Sequence, residues 1–158
     1  MKIQWALMAE GITQDARGAL TVVGLSQSVV SAAALPVMLK RAVVVLLAGS
    51  DDEIDPGQPL HFATRVIAPS GEAICAHDGV VPMAPSKFPG LPARINIASE
   101  SFFAVKEYGR HSITVTIRPG AHPDLCAELE FYVTRPSDEA AVDSATFGMA
   151  VTHAANDA

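Results

Sequence analysis

The sequence predicts an all-β fold, a two-sheet antiparallel β-sandwich of about eight strands. Three observations carry that prediction. Apolar residues recur at every second position in several segments, the period of a strand with one buried face. Clusters of Gly, Pro and Asp separate those segments at the spacing of turns. No stretch sustains the 3.6-residue apolar period of a long helix. At 158 residues the chain is sized for one domain and can bury roughly two-thirds of its unfolded surface without a covalent staple.

Residues 3–12 and 19–30 read as a hairpin joined around Asp15-Ala16-Arg17-Gly18. Asp15 caps that turn with its own carboxylate and Gly18 closes it. Trp5, the sole tryptophan, shares a strand face with Ile3 and Leu7 and is expected to anchor the core. Residues 37–48 are different, because both faces are apolar. One face is Val37, Leu39, Arg41, Val43, Val45 and Leu47; the other is Met38, Lys40, Ala42, Val44, Leu46 and Ala48. A sandwich strand needs only one of these for its core. Leaving Val44 and Leu46 in water would forgo about 1.5–3 kcal/mol each. Both are therefore expected to be covered, by a second subunit or by residues 99–106 folded as a helical turn. Val44 and Leu46 form the candidate interface.

Residues 50–57 are an acidic loop holding Asp51, Asp52, Glu53 and Asp55. Residues 60–68 and 72–81 follow as a hairpin, with Gly71 supplying the positive φ of a tight turn at Pro69-Ser70-Gly71. The proline-rich stretch 82–92 reads as a rigid cross-over between the sheets, with an exposed recognition segment as the alternative. Ala93, Ile95 and Ile97 mark a short strand, and Phe102 or Phe103 plugs the end of the sandwich near Tyr108. The clearest alternation comes next. Ile113, Val115 and Ile117 share one face, Pro119-Gly120-Ala121-His122-Pro123-Asp124 turns the chain, and Leu125, Ala127, Leu129, Phe131 and Val133 share one face of the next strand. Alternation is lost beyond Arg135. The expected organisation is a sandwich domain over 1–135 and a tail over 136–158, partly helical or disordered, with Ser137 capping a short Ala-rich helix.

The composition excludes several function classes. Net charge is −6 with 11 Lys and Arg and no basic run, so the electrostatic footprint of a nucleic-acid binder is missing. The longest apolar run, residues 42–49, is far below the ~20 residues of a membrane helix. The N-terminal segment lacks a signal-peptide pattern. A cytoplasmic location is expected, with Cys75 and Cys126 as free thiols. There is no Gly-x-Ser-x-Gly elbow and no glycine-rich phosphate motif. Five histidines, His61, His77, His111, His122 and His153, invite a metal reading, and Cys75 with His77 comes nearest to one. A zinc site needs three or four converging ligands and calcium six to eight oxygens. No spacing here supplies either set, so no catalytic, cofactor or metal residue is assigned, and no cofactor is expected.

Several segments look familiar together. Trp5-Ala6-Leu7-Met8-Ala9-Glu10-Gly11, the stretch Asp15-Ala16-Arg17-Gly18-Ala19-Leu20-Thr21-Val22-Val23-Gly24, the turn Ala68-Pro69-Ser70-Gly71 and the strand opening Tyr108-Gly109-Arg110-His111 resemble an uncharacterised family of small bacterial β-sandwich proteins, a domain of unknown function. The likeness covers residues 1 to about 135. His111 stands where that pattern commonly has Tyr. The Gly109-Arg110-His111 opening is also similar to immunoglobulin-like sandwiches, which implies an immunoglobulin-like or related Greek-key order. The resemblance brings no catalytic residue with it, and a shared fold does not fix function. The resulting expectation is a non-enzymatic interaction or structural module that binds a protein partner or itself. The alternative is a small metal-assisted enzyme or ligand-binding protein using His61, His77 and the acidic loop 51–55.

Overall fold

The computed structural model describes residues 1–138 except positions 18, 26, 27, 51, 52, 54, 56, 87, 89 and 121. These residues form ten strands: β1 (Lys2–Ala9), β2 (Gly11–Gln14), β3 (Leu20–Val23), β4 (Val29–Ser31), β5 (Val37–Gly49), β6 (Leu60–Ile67), β7 (Ala73–Val81), β8 (Ala93–Val105), β9 (Gly109–Arg118) and β10 (Leu125–Thr134). One sheet has the order β1-β5-β8, a second the order β4-β10-β9-β6-β7, and β2-β3 is a separate ribbon. The fold is all-β, as the alternation predicts, although the strands number ten rather than eight and β4 pairs parallel with β10.

The two sheets close on one core. Val43, Val45 and Leu47 of β5 and Ile97 and Phe103 of β8 lie opposite Phe62, Ile113, Ile117 and Phe131 of the larger sheet. The strands read most directly from sequence are those with one wet face. In β9, Ile113, Val115 and Ile117 are buried while Ser112, Thr114 and Thr116 are only partly so. β10 runs antiparallel to it with Leu129 opposite Ile113 and Phe131 opposite His111. The β6–β7 hairpin turns at the expected place, with Gly71 at φ 88°. The 82–92 stretch carries the chain from the larger sheet to the smaller one.

Three expectations are corrected. The N-terminal hairpin is confined to Gly11–Gln14 with Leu20–Val23, and β1 pairs with β5 instead. Glu10 N–H donates to the carbonyls of Val23 and Gly24, which fastens the ribbon at the point where β1 ends. Asp15 does cap the ribbon turn, accepting from the N–H groups of Arg17 and Ala19 at 2.8 and 2.9 Å. Trp5 is not a core anchor. The β1–β5 register slips between Ile3 and Trp5, so Gln4 is an extra residue and the alternation inverts. Ile3, Ala6 and Met8 join the core, and Trp5 and Leu7 stand on the outer face, partly covered. Finally, residues 99–106 are no helical turn: Ser99 and Ser101 are inward-facing residues of β8, a strand of 13 residues. Phe103 fills the core, while Phe102 is outward and 67 % exposed.

Strands continue to Thr134 and a 3-10 turn covers Pro136–Asp138. The rest of the tail lies outside the described residues. No helix among the described residues is long and apolar enough to cross a membrane.

Candidate functional site

The register of the larger sheet decides how the histidines are placed. His77 pairs with Thr64 and so shares the inward face of β7 with Cys75, whereas His61 pairs with Val80 and Arg118 on the outward face. A strand sends successive side chains to opposite sides, so His61 and His77 are separated by the sheet itself and do not converge. His77 instead lies near the Phe62 ring, with centroids 6.0 Å apart. Gly79, two residues on, lets Phe62 lie flat over the edge strand: a Cβ there would come within 2.4 Å of the ring. His122 is exposed on the β9–β10 turn, and His153 lies outside the described residues.

In the acidic loop, Asp51 and Asp52 lie outside the described residues. Glu53 and Asp55 are turned to local tasks. Glu53 accepts from the Ser50 N–H and hydroxyl, both at 2.9 Å, and pairs with the N-terminal ammonium. Those bonds, the ammonium foremost, lower its pKa to about 2. Asp55 closes its own turn by accepting from the Gly57 N–H at 2.9 Å. Among the described residues no group of three or more His, Cys, Asp or Glu side chains is placed to hold a metal. Cys75 is partly buried and Cys126 exposed, and both are free thiols.

Val44 and Leu46 are 1 % and 9 % exposed in the single chain. They belong to the central strand of the smaller sheet, with Leu7 and Ala98 flanking Val44, and Trp5 and Asn96 flanking Leu46. Side chains from both neighbours lean over a central strand, which leaves little of either residue for a subunit to cover. The β2–β3 ribbon also docks on this outer face. Ile12 N–H donates to Glu100 Oε1 at 3.0 Å, and the same carboxylate holds Lys40 Nζ at 2.7 Å, which keeps Glu100 ionised to lower pH than a free glutamate.

Sequence reasoning missed a buried polar group between the sheets. His111 is completely buried, stacked on Phe131 with centroids 5.0 Å apart and planes 18° apart. Its Nδ1 lies 3.1 Å from the Gly109 carbonyl, and its Nε2 has no partner among the described residues. Burial lowers the His111 pKa, against smaller opposing effects of Gly109 and Glu107. Arg41, also buried, reaches over Phe131 at 5.7 Å and donates to the Lys40 carbonyl at 3.0 Å. Desolvation lowers its pKa and Glu10 partly offsets this. The available signal was the alternation itself: His111 and Arg41 each occupy inward positions of otherwise apolar strand faces.

A family profile described as a family of unknown function, DUF6941, matches residues 4–119. The chain belongs to that family. No curated protein matches it. The DUF6941 match spans β1 through β9 and therefore both sheets of the sandwich. It includes the turn Pro69-Ser70-Gly71 and the Tyr108–His111 opening of β9. The Tyr108 hydroxyl donates to the Ala32 carbonyl at 3.1 Å, tying the start of β9 to the end of β4.

Among the described residues the margin of β8 offers apolar contact. Phe102 on β8, together with Phe88 and Leu91 just before it, is more than half exposed. Phe88 and Leu91 line a shallow depression with Pro92 and Arg94, where the chain enters β8.

Proposed function

We propose that this protein is a non-enzymatic binding module that contacts another protein through the β8 margin of its smaller sheet. The observation that carries the reading is the placement of Phe88, Leu91 and Phe102. Single exposed apolar side chains are ordinary, so the reading rests on where these lie: Phe88 and Leu91 at the start of the β8 edge and Phe102 towards its other end. Aromatic anchors also contribute disproportionately to protein contacts. The strand order supports an immunoglobulin-like architecture. With β1, β5 and β8 in one sheet and β10, β9, β6 and β7 in the other, the connectivity follows the A-B-E and G-F-C-C′ arrangement. His111, bonded to the Gly109 carbonyl two residues upstream, takes the position of the corner tyrosine at the start of strand F. A scaffold of that kind works through its edges and loops.

The test is cross-linking in the native cell followed by mass spectrometry, comparing the wild-type chain with the double variant Leu91→Asp, Phe102→Asp. The reading expects cross-links in the wild type that map to residues 88–102 and are lost in the folded variant. Cross-links unchanged by the double substitution would overturn it.

A further inference from the structure

We infer that the open edge of β8 pairs with the same edge of a second copy, antiparallel and two-fold about Ile97, to join two three-stranded sheets into one of six strands. The inference rests on the interaction-module reading and names its partner. An unpaired strand edge is a row of free backbone donors and acceptors, and proteins that stay apart blunt it by shortness, bulges, charge or proline. Among the described residues the two sheets of the sandwich have four edges, and three are blunted. β4 is three residues long. β1 carries the extra residue Gln4 at its register slip. β7 carries an extra residue, Ile74, where the register slips between Val66 and Ile67, and also Asp78 and Gly79.

β8 has none of these devices. It runs 13 residues with an unbroken register against β5, contains no Pro, Gly or Lys, and among the described residues has only β5 as a hydrogen-bonded neighbour, β7 of the facing sheet coming near it without pairing. Among the described residues of the 82–92 connection there is no counterpart of the further strand that flanks this position in a four-stranded A-B-E-D sheet.

Charge selects the partner and the register. Arg94 and Glu100 are the only charged residues of β8, and both point to the outer face. A two-fold pairing that keeps the core face continuous matches residues of equal parity. Among such registers, the one centred on Ile97 is the one that sets Arg94 of each copy opposite Glu100 of the other, so each Arg94 meets a carboxylate that already holds Lys40 and the Ile12 N–H through its Oε1. The same register sets Ala93 opposite Ser101 and Ile95 opposite Ser99, extending the buried face across the join. It also places Phe102 opposite Pro92 and beside Leu91 of the second copy, which would remove from water the exposed apolar groups at each end of the pairing.

The experiment uses the full chain in sedimentation velocity over a concentration series, with thermal melts as the check on folding. The wild type is expected to show a concentration-dependent dimer. Arg94→Glu places two like-charge pairs across the join and is expected to raise the dissociation constant roughly ten- to thirty-fold; Glu100→Lys does the same and also gives up the Lys40 pair and the Ile12 N–H bond, so its melting midpoint is expected to fall as well. Mixed together, the two variants restore both complementary pairs and are expected to form a heterodimer stronger than either variant's own dimer. A wild type that stays monomeric at high concentration, or an Arg94→Glu variant that dimerises as the wild type does, would overturn the inference. So would a mixture no stronger than its parts. If the purified chain is monomeric while the cellular cross-links still depend on Leu91 and Phe102, the pairing fails and the interaction-module reading survives.

Discussion

Replacing His111 with Phe isolates a pH-dependent part of the stability. The ring is completely buried, and its unpartnered Nε2 would become a charged donor on protonation. Burial therefore holds the native pKa below 6.5, whereas the unfolded chain titrates near that value. The unfolded state then binds more protons as pH falls through 6.5, so stability is full above that range and is lost on acidification towards the native pKa. If the native ring takes up no proton between pH 7.5 and 5.5, the loss is about 1.4 kcal/mol. For a chain of this size that corresponds to roughly 3–6 °C in Tm. Phe keeps the stacking on Phe131 and cannot titrate. Urea unfolding of wild type and His111→Phe at both pH values gives the difference directly, because the other histidines are common to both. The wild type should lose up to ~1.4 kcal/mol more than the variant. An identical pH dependence in the two would refute the buried, neutral ring.

Gly79→Ala should destabilise by about 1–3 kcal/mol in urea unfolding, since the new methyl meets the Phe62 ring at 2.4 Å, and pairing it with Phe62→Leu should cost less than the sum of the two single changes. Phe131→Ala removes the ring on which His111 stacks and over which Arg41 lies, and should cost about 3–5 kcal/mol by the same measurement. In native protein a thiol reagent should modify Cys126 faster than the half-buried Cys75, and denatured, non-reduced protein should yield two thiols per chain.

What could be read from the sequence was whatever obeys a strict two-residue period against water. β9 and β10 are plain because Thr, Ser and Glu alternate with Ile, Val, Leu and Phe. β5 was visible as a strand with two apolar faces, and the two faces assigned to it are those it has. The misreadings have local physical causes. One inserted residue, Gln4, inverted the faces of β1 and moved Trp5 out of the core. Ser99 and Ser101 at inward positions hid the second half of β8, because polar residues broke the apolar stripe without breaking the strand. The pairing of β1 with β5 across the intervening ribbon is non-local, and no turn chemistry announces it. For the site, the sequence offers His61 and His77 without their register, and only the pairing partners place them on opposite sides of a sheet. The open β8 edge was invisible for the same reason: an edge is defined by the absence of a neighbour, which one strand's sequence does not encode.

The parallel alignment of β4 with β10 sets an order of events during synthesis. Ser31 pairs with Thr134, about a hundred residues later in the chain. At a synthesis rate of about 5–20 residues per second, Val29–Ser31 waits roughly 5–20 s for its partner to be made. During that interval the smaller sheet can assemble from β1, β5 and β8, while β10 is still missing from the larger one. A nascent chain halted before Leu125 would therefore present the inner face of β9 without its neighbour and leave Val29–Ser31 unpaired. The growing protein is open to chaperones or to premature association until β10 closes the sheet.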